Sequence, residues 1–318
     1  MAEWVLDEGI GEHRAALIEG DIIFEAAIDR IDDRLRVGAI VAGTIGERVG
    51  QGAWLATARG DVILGAVPRG LSQGRTLLVE IVREAIPEPG RRKPPRARAS
   101  DATGERAAPT LAERYPDARR LSAHDPDVLE RAGWSELIEQ AETGEIDFPG
   151  GALRLSPTPA MALFDVDGPL PPAELAVLGA RAAAGAVRRL AIGGSIGIDL
   201  PTLGSRAERA AAAEAIDAAL PPPFERTAVN GFGFVQIVRP RPRASIPELV
   251  RDDPALTAAL RLLRRAGHGH GGRTLVAAPA VIERIRLEWV DRLARRTGGA
   301  VALRAEQALA ISTGYVEP

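Results

Sequence analysis

From Trp4 to Ile40, apolar and polar residues alternate in VLDEG, RAALIEG and DIIFEAAI, with glycine or acidic turns between the runs. That period of two predicts short strands. A second strand-rich segment runs from Val37 to about Arg83, through VGAIVAGTIGERV, GAWLATAR, DVILGAVP and RTLLVEIVREA. Its strands are short and interrupted by glycine, the pattern of a small antiparallel barrel. Residues 85–110 are rich in Pro, Arg and Ala and carry no apolar period, so they read as a linker or long loop. A helical stretch over about 125–142 leads into FPGGALRLSPTPA.

The most ordered pattern lies between Ala160 and Arg239. AMALFDVD is an apolar strand ending in acid, and Pro171-Pro172 opens a long alanine-rich helix, which Gly193-Gly194 is expected to stop. SIGID is a second buried-looking strand ending at Asp199. A helix over about 205–220 follows and stops at Pro221-Pro222-Pro223, after which ERTAVN and GFVQIVR read as strands. Strand, helix, strand and helix in close succession imply a parallel βαβ unit. The tail, 246–318, alternates helix (PALTAALRLLRRAG), strand (RTLVAAP), helix (AVIERIRLEWVDRLARRTG) and one or two strands. No internal repeat is present.

Composition narrows the reading. The chain has 318 residues, 46% hydrophobic and 26% charged, enough for a buried core and one or two domains. It has no cysteine, which removes disulfides, zinc fingers and thiol catalysis. No run of eighteen apolar residues predicts a membrane span. MAEWVLDEGIGEH lacks a basic start and an apolar stretch, so a cytoplasmic protein is expected. A net charge of −3 excludes a wholly basic nucleic-acid coat, though not a local patch. Lys93 is the only lysine.

The candidate chemistry lies in Asp165, Asp167 and Asp199. Residues i and i+2 of a strand share a face, and both strands of a βαβ unit run the same way, which brings Asp199 to the same sheet edge. Carboxylates with no His or Cys nearby suit a hard cation, Mg²⁺ or Mn²⁺, able to polarise a phosphate and activate water. Acids at strand ends also serve as turn formers and helix caps. LFDVDGPL is similar to the first motif of the haloacid-dehalogenase-like phosphatases, in which the first Asp is the nucleophile and the second the acid/base. Pro169 stands where that family has threonine, Lys93 lies upstream where its lysine comes later, and no paired-acid strand end follows.

A wider resemblance rests on FPGGALRLSPTPAMALFDVDG, RRLAIGGSIGIDL and VNGFGFVQIVRPRPRASIPEL. Gly150-Gly151, Thr158, Ala160, Asp165, Asp167, Gly193-Gly194 and Asp199 occur in the order of the catalytic core of the ribonuclease E/G family, and Arg239, Arg241 and Arg243 occupy its basic run. The chain resembles a short, divergent member of that family. The resemblance implies a mixed α/β (α+β) fold: an RNase H-like part (1–36), an inserted OB-fold RNA-binding barrel (37–100), a linker with the second RNase H-like half (101–157), a DNase I-like metal-binding catalytic domain (158–245) and a small C-terminal α/β module (246–318). It also implies that Asp165 and Asp199 hold Mg²⁺ and that Asp167, where the family has asparagine, supports the attacking water or the scissile phosphate. Trp54 matches an aromatic of the barrel. Gln236 stands in place of a usual glutamate, and the stretch before Gly150 is too short for the family's 5′-end sensor. The paired cysteines that share zinc are missing, so no zinc and no 5′-phosphate preference are expected.

The expected activity is magnesium-dependent endonucleolytic cleavage of single-stranded RNA by metal-activated water. The alternatives are a non-catalytic RNA-binding protein of the same fold and a haloacid-dehalogenase-like phosphatase. Arg91, Arg92, Lys93, Arg96 and Arg98 form a basic cluster in the barrel's Pro-rich loop, able to neutralise phosphates or simply to solvate a linker. Arg239, Arg241 and Arg243 alternate with Val238, Pro240 and Pro242, which puts them on one face at an exposed strand end. His268 and His270 in GHGHGG read as a polar turn, Glu174 and Glu214 as helix-surface charges. The glycines of GGSIG precede their strand, unlike a dinucleotide loop. Leu287, Trp289, Val290 and Leu293 give the last helix an apolar face. That face serves an intramolecular core or a weak homodimer, so a monomer or weak dimer is expected.

Overall fold

The computed structural model describes residues 1–88, 90–122 and 125–318, without the side chain of Arg91. It is a mixed α/β protein whose chain divides into two compact units, one of residues 1–31, 111–138 and 249–318, the other of residues 32–110 and 139–248.

The first unit holds two sheets. Strands Glu3–Glu8, Glu12–Glu19 and Ile22–Arg30 form an antiparallel meander, and the short strand Arg119–Arg120 adds in parallel beside Glu3–Glu8. The alternation read in the sequence puts Leu6 and Ala15 on the covered face, against Leu111. The second sheet places Arg273–Ala277 between parallel Val301–Ala305 and antiparallel Tyr315–Glu317. Helix Pro254–Gly267, started by Asp253 accepting from the Leu256 N–H, buries Leu260, Leu262 and Leu263 in a core with Leu275, Trp289 and Leu293.

The long helix expected over AVIERIRLEWVDRLARRTG is two helices, Pro279–Ile282 and Leu287–Thr297. The break at Arg286, whose backbone is extended, lets Ile285 join the same core as Trp289 and Leu293. The apolar face of the second helix is thus mainly intramolecular: Trp289 and Leu293 are buried while Leu287 is exposed.

The second unit contains a closed five-stranded barrel. Its strands are Ile40–Val49, Gly52–Thr57, Gly60–Leu64, Thr76–Arg83 and Arg96–Ala99. The last strand closes it, pairing in parallel with Gly60–Leu64 and antiparallel with Thr76–Arg83. Ile45, Leu55, Val62, Leu64, Val79 and Ile81 fill the interior. The linker expected over 85–110 is thus partly ordered sheet. Ile86–Glu88 and Arg91–Lys93 pair as a short ladder, and Ala97 points into the barrel core between exposed Arg96 and Arg98. Pro89 lies outside the described residues.

The same unit carries a six-stranded sheet in the order Glu145–Phe148, Gly151–Pro157, Ala162–Asp167, Gly194–Asp199, Phe234–Arg239 and Glu225–Arg226. Only Ala162–Asp167 and Gly194–Asp199 are parallel, joined through helix Pro172–Arg189, as the βαβ pattern requires. One face is apolar and covered: Leu153, Leu155, Phe164, Val166, Ile196, Ile198, Val235 and Ile237 are buried. Helix Pro172–Arg189 packs on it, and Arg206–Ala219 packs on that helix through small alanine faces. Each buried methyl there contributes about 0.8 kcal/mol, so close approach and many contacts make up for small side chains.

Two details differ from the pattern. The long helix ends at Leu190, three residues before Gly193. Ala191 adopts a positive φ of 53°, and the Ile192 and Ala191 N–H groups donate to the Val187 and Arg188 carbonyls. This is a Schellman closure with alanine where glycine is usual. The glycine pair has another use: a Cβ on Gly193 would lie 2.5 Å from the Pro240 carbonyl oxygen, so only glycine lets the two strands meet there. In ERTAVN only Glu225–Arg226 pairs, because Asn230 Oδ1 accepts from the Phe232 and Phe234 N–H groups and turns the chain instead. Among the described residues, no helix is long and apolar enough to cross a membrane.

Candidate functional site

The uncovered face of the six-stranded sheet brings the candidate acids together. Asp165 and Asp199 are register partners on adjacent parallel strands. Paired strands lie about 4.8 Å apart, and partners in register project to the same side. Their row continues outward to Arg154 and Glu145 on one side and Phe234 on the other. Both flanking residues of Asp165, Phe164 and Val166, are buried on the helix side, so the strand's alternation turns Asp165 and Asp167 to the open side.

Asp199 is the last residue of its strand. Asp167 is exposed at the end of its own strand and opposite Ala152.

The electrostatics mark Asp165 and Asp199 as a strained pair. Partial burial, and then the like charge of Asp165, push the Asp199 carboxyl above its ordinary range. Arg154 is the near cation, but its Nε donates to Glu145 Oε1 at 3.1 Å. That hydrogen bond raises the Arg154 pKa most, and the negative charges of Asp167 and Asp165 add to the rise. Asp165, Asp167 and Asp199 make no side-chain hydrogen bond or ion pair among the described residues. Two carboxylates side by side, Asp165 half-buried and Asp199 exposed, with no ion pair of their own among the described residues, suit Mg²⁺, which binds through one or two carboxylates and keeps several of its waters. Among the described residues no group of three or more His, Cys, Asp and Glu is gathered that could hold a metal, so Asp167 does not join Asp165 and Asp199 as a third ligand.

Aromatic surface adjoins the acids, and the sequence reading did not single it out. Phe234 follows Asp199 in the row, and a Cβ on Gly197 would lie 2.7 Å from Phe234 Cζ and 2.9 Å from Met161 Sδ. Glycine at 197 therefore leaves the ring and the thioether lying across the strand. Phe232 is 81% exposed. The signal available was two phenylalanines spaced by glycine in GFGF, leading into the strand that borders Asp199. Gln236, two residues on, donates to Ser195 Oγ at 2.9 Å on the same face.

The expected RNA-contact residues separate into two groups. Trp54 is half-buried on the outside of the barrel opposite Ile63, which pairs in turn with Arg96; Arg96 is opposite Arg83. This row sets an aromatic and exposed Arg96 on one barrel surface. Arg83 is pushed below its ordinary range by burial first and then by the charges of Arg96 and Arg241.

Lys93, Arg241 and Arg243 are held by carboxylates. Lys93 Nζ lies 2.5 Å from Glu88, Arg241 pairs with Glu248 and lies 3.5 Å from Glu88, and Arg243 Nε lies 3.1 Å from Glu84. The strand ends at Arg239, which is half-buried, and Arg241 and Arg243 lie beyond it. They do not form one free face of arginines. Arg98 pairs with Glu80 at 2.7 Å, and the side chain of Arg91 lies outside the described residues.

His268 Nε2 lies 2.9 Å from Asp127, in keeping with a polar turn, and His270 is exposed. Glu174 falls in the first turn of its helix and Glu214 is exposed on Arg206–Ala219. A scan against protein-family models finds no match, and a search of curated proteins finds none either.

Proposed function

We propose that the chain is a magnesium-dependent endoribonuclease of the ribonuclease E/G type, acting on single-stranded RNA. The observation that carries this reading is the in-register pairing of Asp165 with Asp199 on the open face of a sheet whose other face is the core. Asp165 and Asp199 would hold Mg²⁺, which when bound neutralises phosphate charge and lowers the pKa of water. Asp167, two residues along the same strand, accepts a hydrogen bond from the attacking water and orients it toward phosphorus. Its exposed position leaves room for that water. Phe234 and Phe232 offer ring faces on which an unpaired base can stack, a contact tolerant of sequence. The barrel is read as an OB-fold, with Trp54 and Arg96 supplying a second stacking and phosphate contact on its outer surface. In the same reading the six-stranded sheet belongs to a DNase I-like domain and the N-terminal meander to an RNase H-like one.

Only two carboxylates gather at the site, and this favours one other reading, an RNA-binding protein that does not cut. One assay separates the readings. Labelled single-stranded RNA is incubated with the protein in Mg²⁺ or EDTA, beside a phosphomonoester. Internal cuts that need Mg²⁺ and vanish in Asp165→Asn and Asp199→Asn, while RNA affinity stays within a few-fold, support the nuclease. A mobility shift with no cuts supports the binder, and phosphate release alone supports a haloacid-dehalogenase-like phosphatase. Cutting at the wild-type rate by both variants would overturn the assignment of the acids.

A further inference from the structure

Outside the sheet with the acid pair, one cleft holds cations that lack enough acceptors. It lies wholly within the unit of residues 1–31, 111–138 and 249–318 and has a volume of about 340 Å³, counting its open mouth. Its polar side chains are those of Asp7, Glu12, Arg14, Arg264, His268 and Arg296. Arg14 is only 2% exposed. Its Nε and Nη2 both donate to Asp7 Oδ2, at 3.1 and 2.5 Å, and its guanidinium lies 5.0 Å from the centre of the Trp134 ring. Nη1 is left buried with no acceptor among the described residues, and Arg296 Nε is in the same condition. A buried charged donor without an acceptor is expensive, so its persistence in a cleft needs a reason.

Arg264 strengthens the case. Its side chain is 10% exposed, and its Nη2 reaches Glu130 at 3.4 Å and Ser135 at 3.5 Å, both long for hydrogen bonds. Burial first, and then the charge of Arg14, bring Arg264 down to about 10, against the opposing charges of Glu12, Glu130 and Asp127. Arg14 and Arg264 therefore repel each other in a poorly hydrated place.

We propose that this cleft binds a phosphate group, either as the free ion or as a terminal phosphomonoester. A carboxylate would occupy one guanidinium, as Asp7 already occupies Arg14. Three guanidiniums brought by strand Glu12–Glu19, helix Pro254–Gly267 and helix Leu287–Thr297 fit a group with several oxygens spread around a tetrahedron. The carboxylates of Asp7 and Glu12, also in the lining, accept a hydrogen bond from the P–OH group that a monohydrogen phosphate carries and sulfate lacks.

Calorimetric titration of the full chain with inorganic phosphate tests this. Saturable binding is expected, weakened roughly tenfold or more in Arg264→Gln and in Arg14→Lys. It should be unchanged in Arg59→Gln, which removes one exposed positive charge elsewhere. Arg14→Lys keeps the buried charge. Should it still fail to fold by circular dichroism, Arg264→Gln decides alone, since the Arg264 contacts with Glu130 and Ser135 are both long. Sulfate should bind several-fold more weakly, and equal binding would overturn the role given to Asp7 and Glu12.

A 5′-phosphorylated oligonucleotide that binds more tightly than its 5′-hydroxyl twin makes the RNA end the source of the phosphate. Equal affinity for the two, with inorganic phosphate still bound, makes it the free ion or a mononucleotide. No saturable heat at millimolar phosphate, or equal binding by wild type and Arg264→Gln, would overturn the proposal. Loss of RNA cleavage has no bearing on it, so its failure is distinct from failure of the nuclease reading.

Discussion

Gly179 offers a measurable link between packing and the acid-bearing strand. It sits in helix Pro172–Arg189, where Ala in place of Gly normally gains about 1 kcal/mol. At this position an added Cβ would lie 2.3 Å from Val166 Cγ1 and 3.3 Å from Cγ2. Carbon atoms pack best at about 3.5–4.0 Å, so helix and strand must separate by roughly 1.2 Å or more, or Val166 must leave its preferred rotamer. Overpacking of this kind costs about 1–3 kcal/mol. Gly179→Ala should therefore be neutral to about 2 kcal/mol destabilising.

Gly185 is the internal control. It lies in the same helix, and a Cβ there meets nothing within 4 Å. Gly185→Ala should stabilise by about 0.5–1 kcal/mol. The assay is urea unfolding followed by far-ultraviolet circular dichroism, reading the midpoint at constant slope. Adding Val166→Ala to Gly179→Ala should recover part of the loss, a coupling of about 0.5–3 kcal/mol. If Gly179→Ala stabilises as much as Gly185→Ala, the close packing of helix on strand is wrong. Because Val166 lies between Asp165 and Asp167, the same displacement should also lower any Mg²⁺-dependent activity.

Two further outcomes are expected. Because the Asp199 carboxyl is raised by burial and by Asp165, its ionisation opposes folding as pH rises through the ordinary carboxylate range near about 4. Asp199→Asn should melt above wild type at neutral pH and level with it near about pH 3, and thermal scans showing the same gap at both would refute the pair's strain. Ser205→Ala should cost about 1 kcal/mol in urea unfolding, since Ser205 Oγ accepts from the Glu208 N–H at 3.1 Å while Glu208 accepts from the Ser205 N–H at 2.9 Å; no change in midpoint would show that the cap is unimportant.

Local chemistry explains which features were legible in the sequence. The strand–helix–strand run around Asp165 and Asp199 was readable because apolar periods and prolines punctuate it, and the register pairing of the two acids follows from that topology. The helix over about 205–220 was readable from the proline run that stops it. The helix end at Leu190 was not, because Ala191 takes the conformation usually assigned to glycine while Gly193 serves close strand contact instead. The long-range carboxylate contacts of Arg241 with Glu88 and of Arg243 with Glu84 were out of reach for another reason. Glu84 and Glu88 lie some 150 residues away in sequence, and no local pattern announces such a pair. No local pattern announces that Arg14, a charged residue in an alternating strand, is held in the interior by Asp7 and the Trp134 ring.

The three-segment make-up of the first unit bears on the order in which the chain acquires structure during synthesis. Ile10, at the turn after the first strand, is buried with Leu260, Trp289 and Leu293, which are made roughly 250 residues or more later. At about 5–20 residues per second, that hairpin waits on the order of 12–50 s for its covering helices. The barrel between residues 40 and 99 has all five strands well before then. Strand Ile22–Arg30 is an edge of its sheet, with Ile22 61% and Phe24 37% exposed even when folding is complete. During the wait, both that edge and the underside of the hairpin are open to pairing with other chains. A ribosome stalled before residue 255 would display an ordered barrel and, in the same nascent chain, a hairpin still without its covering helices, a form that calls for a chaperone.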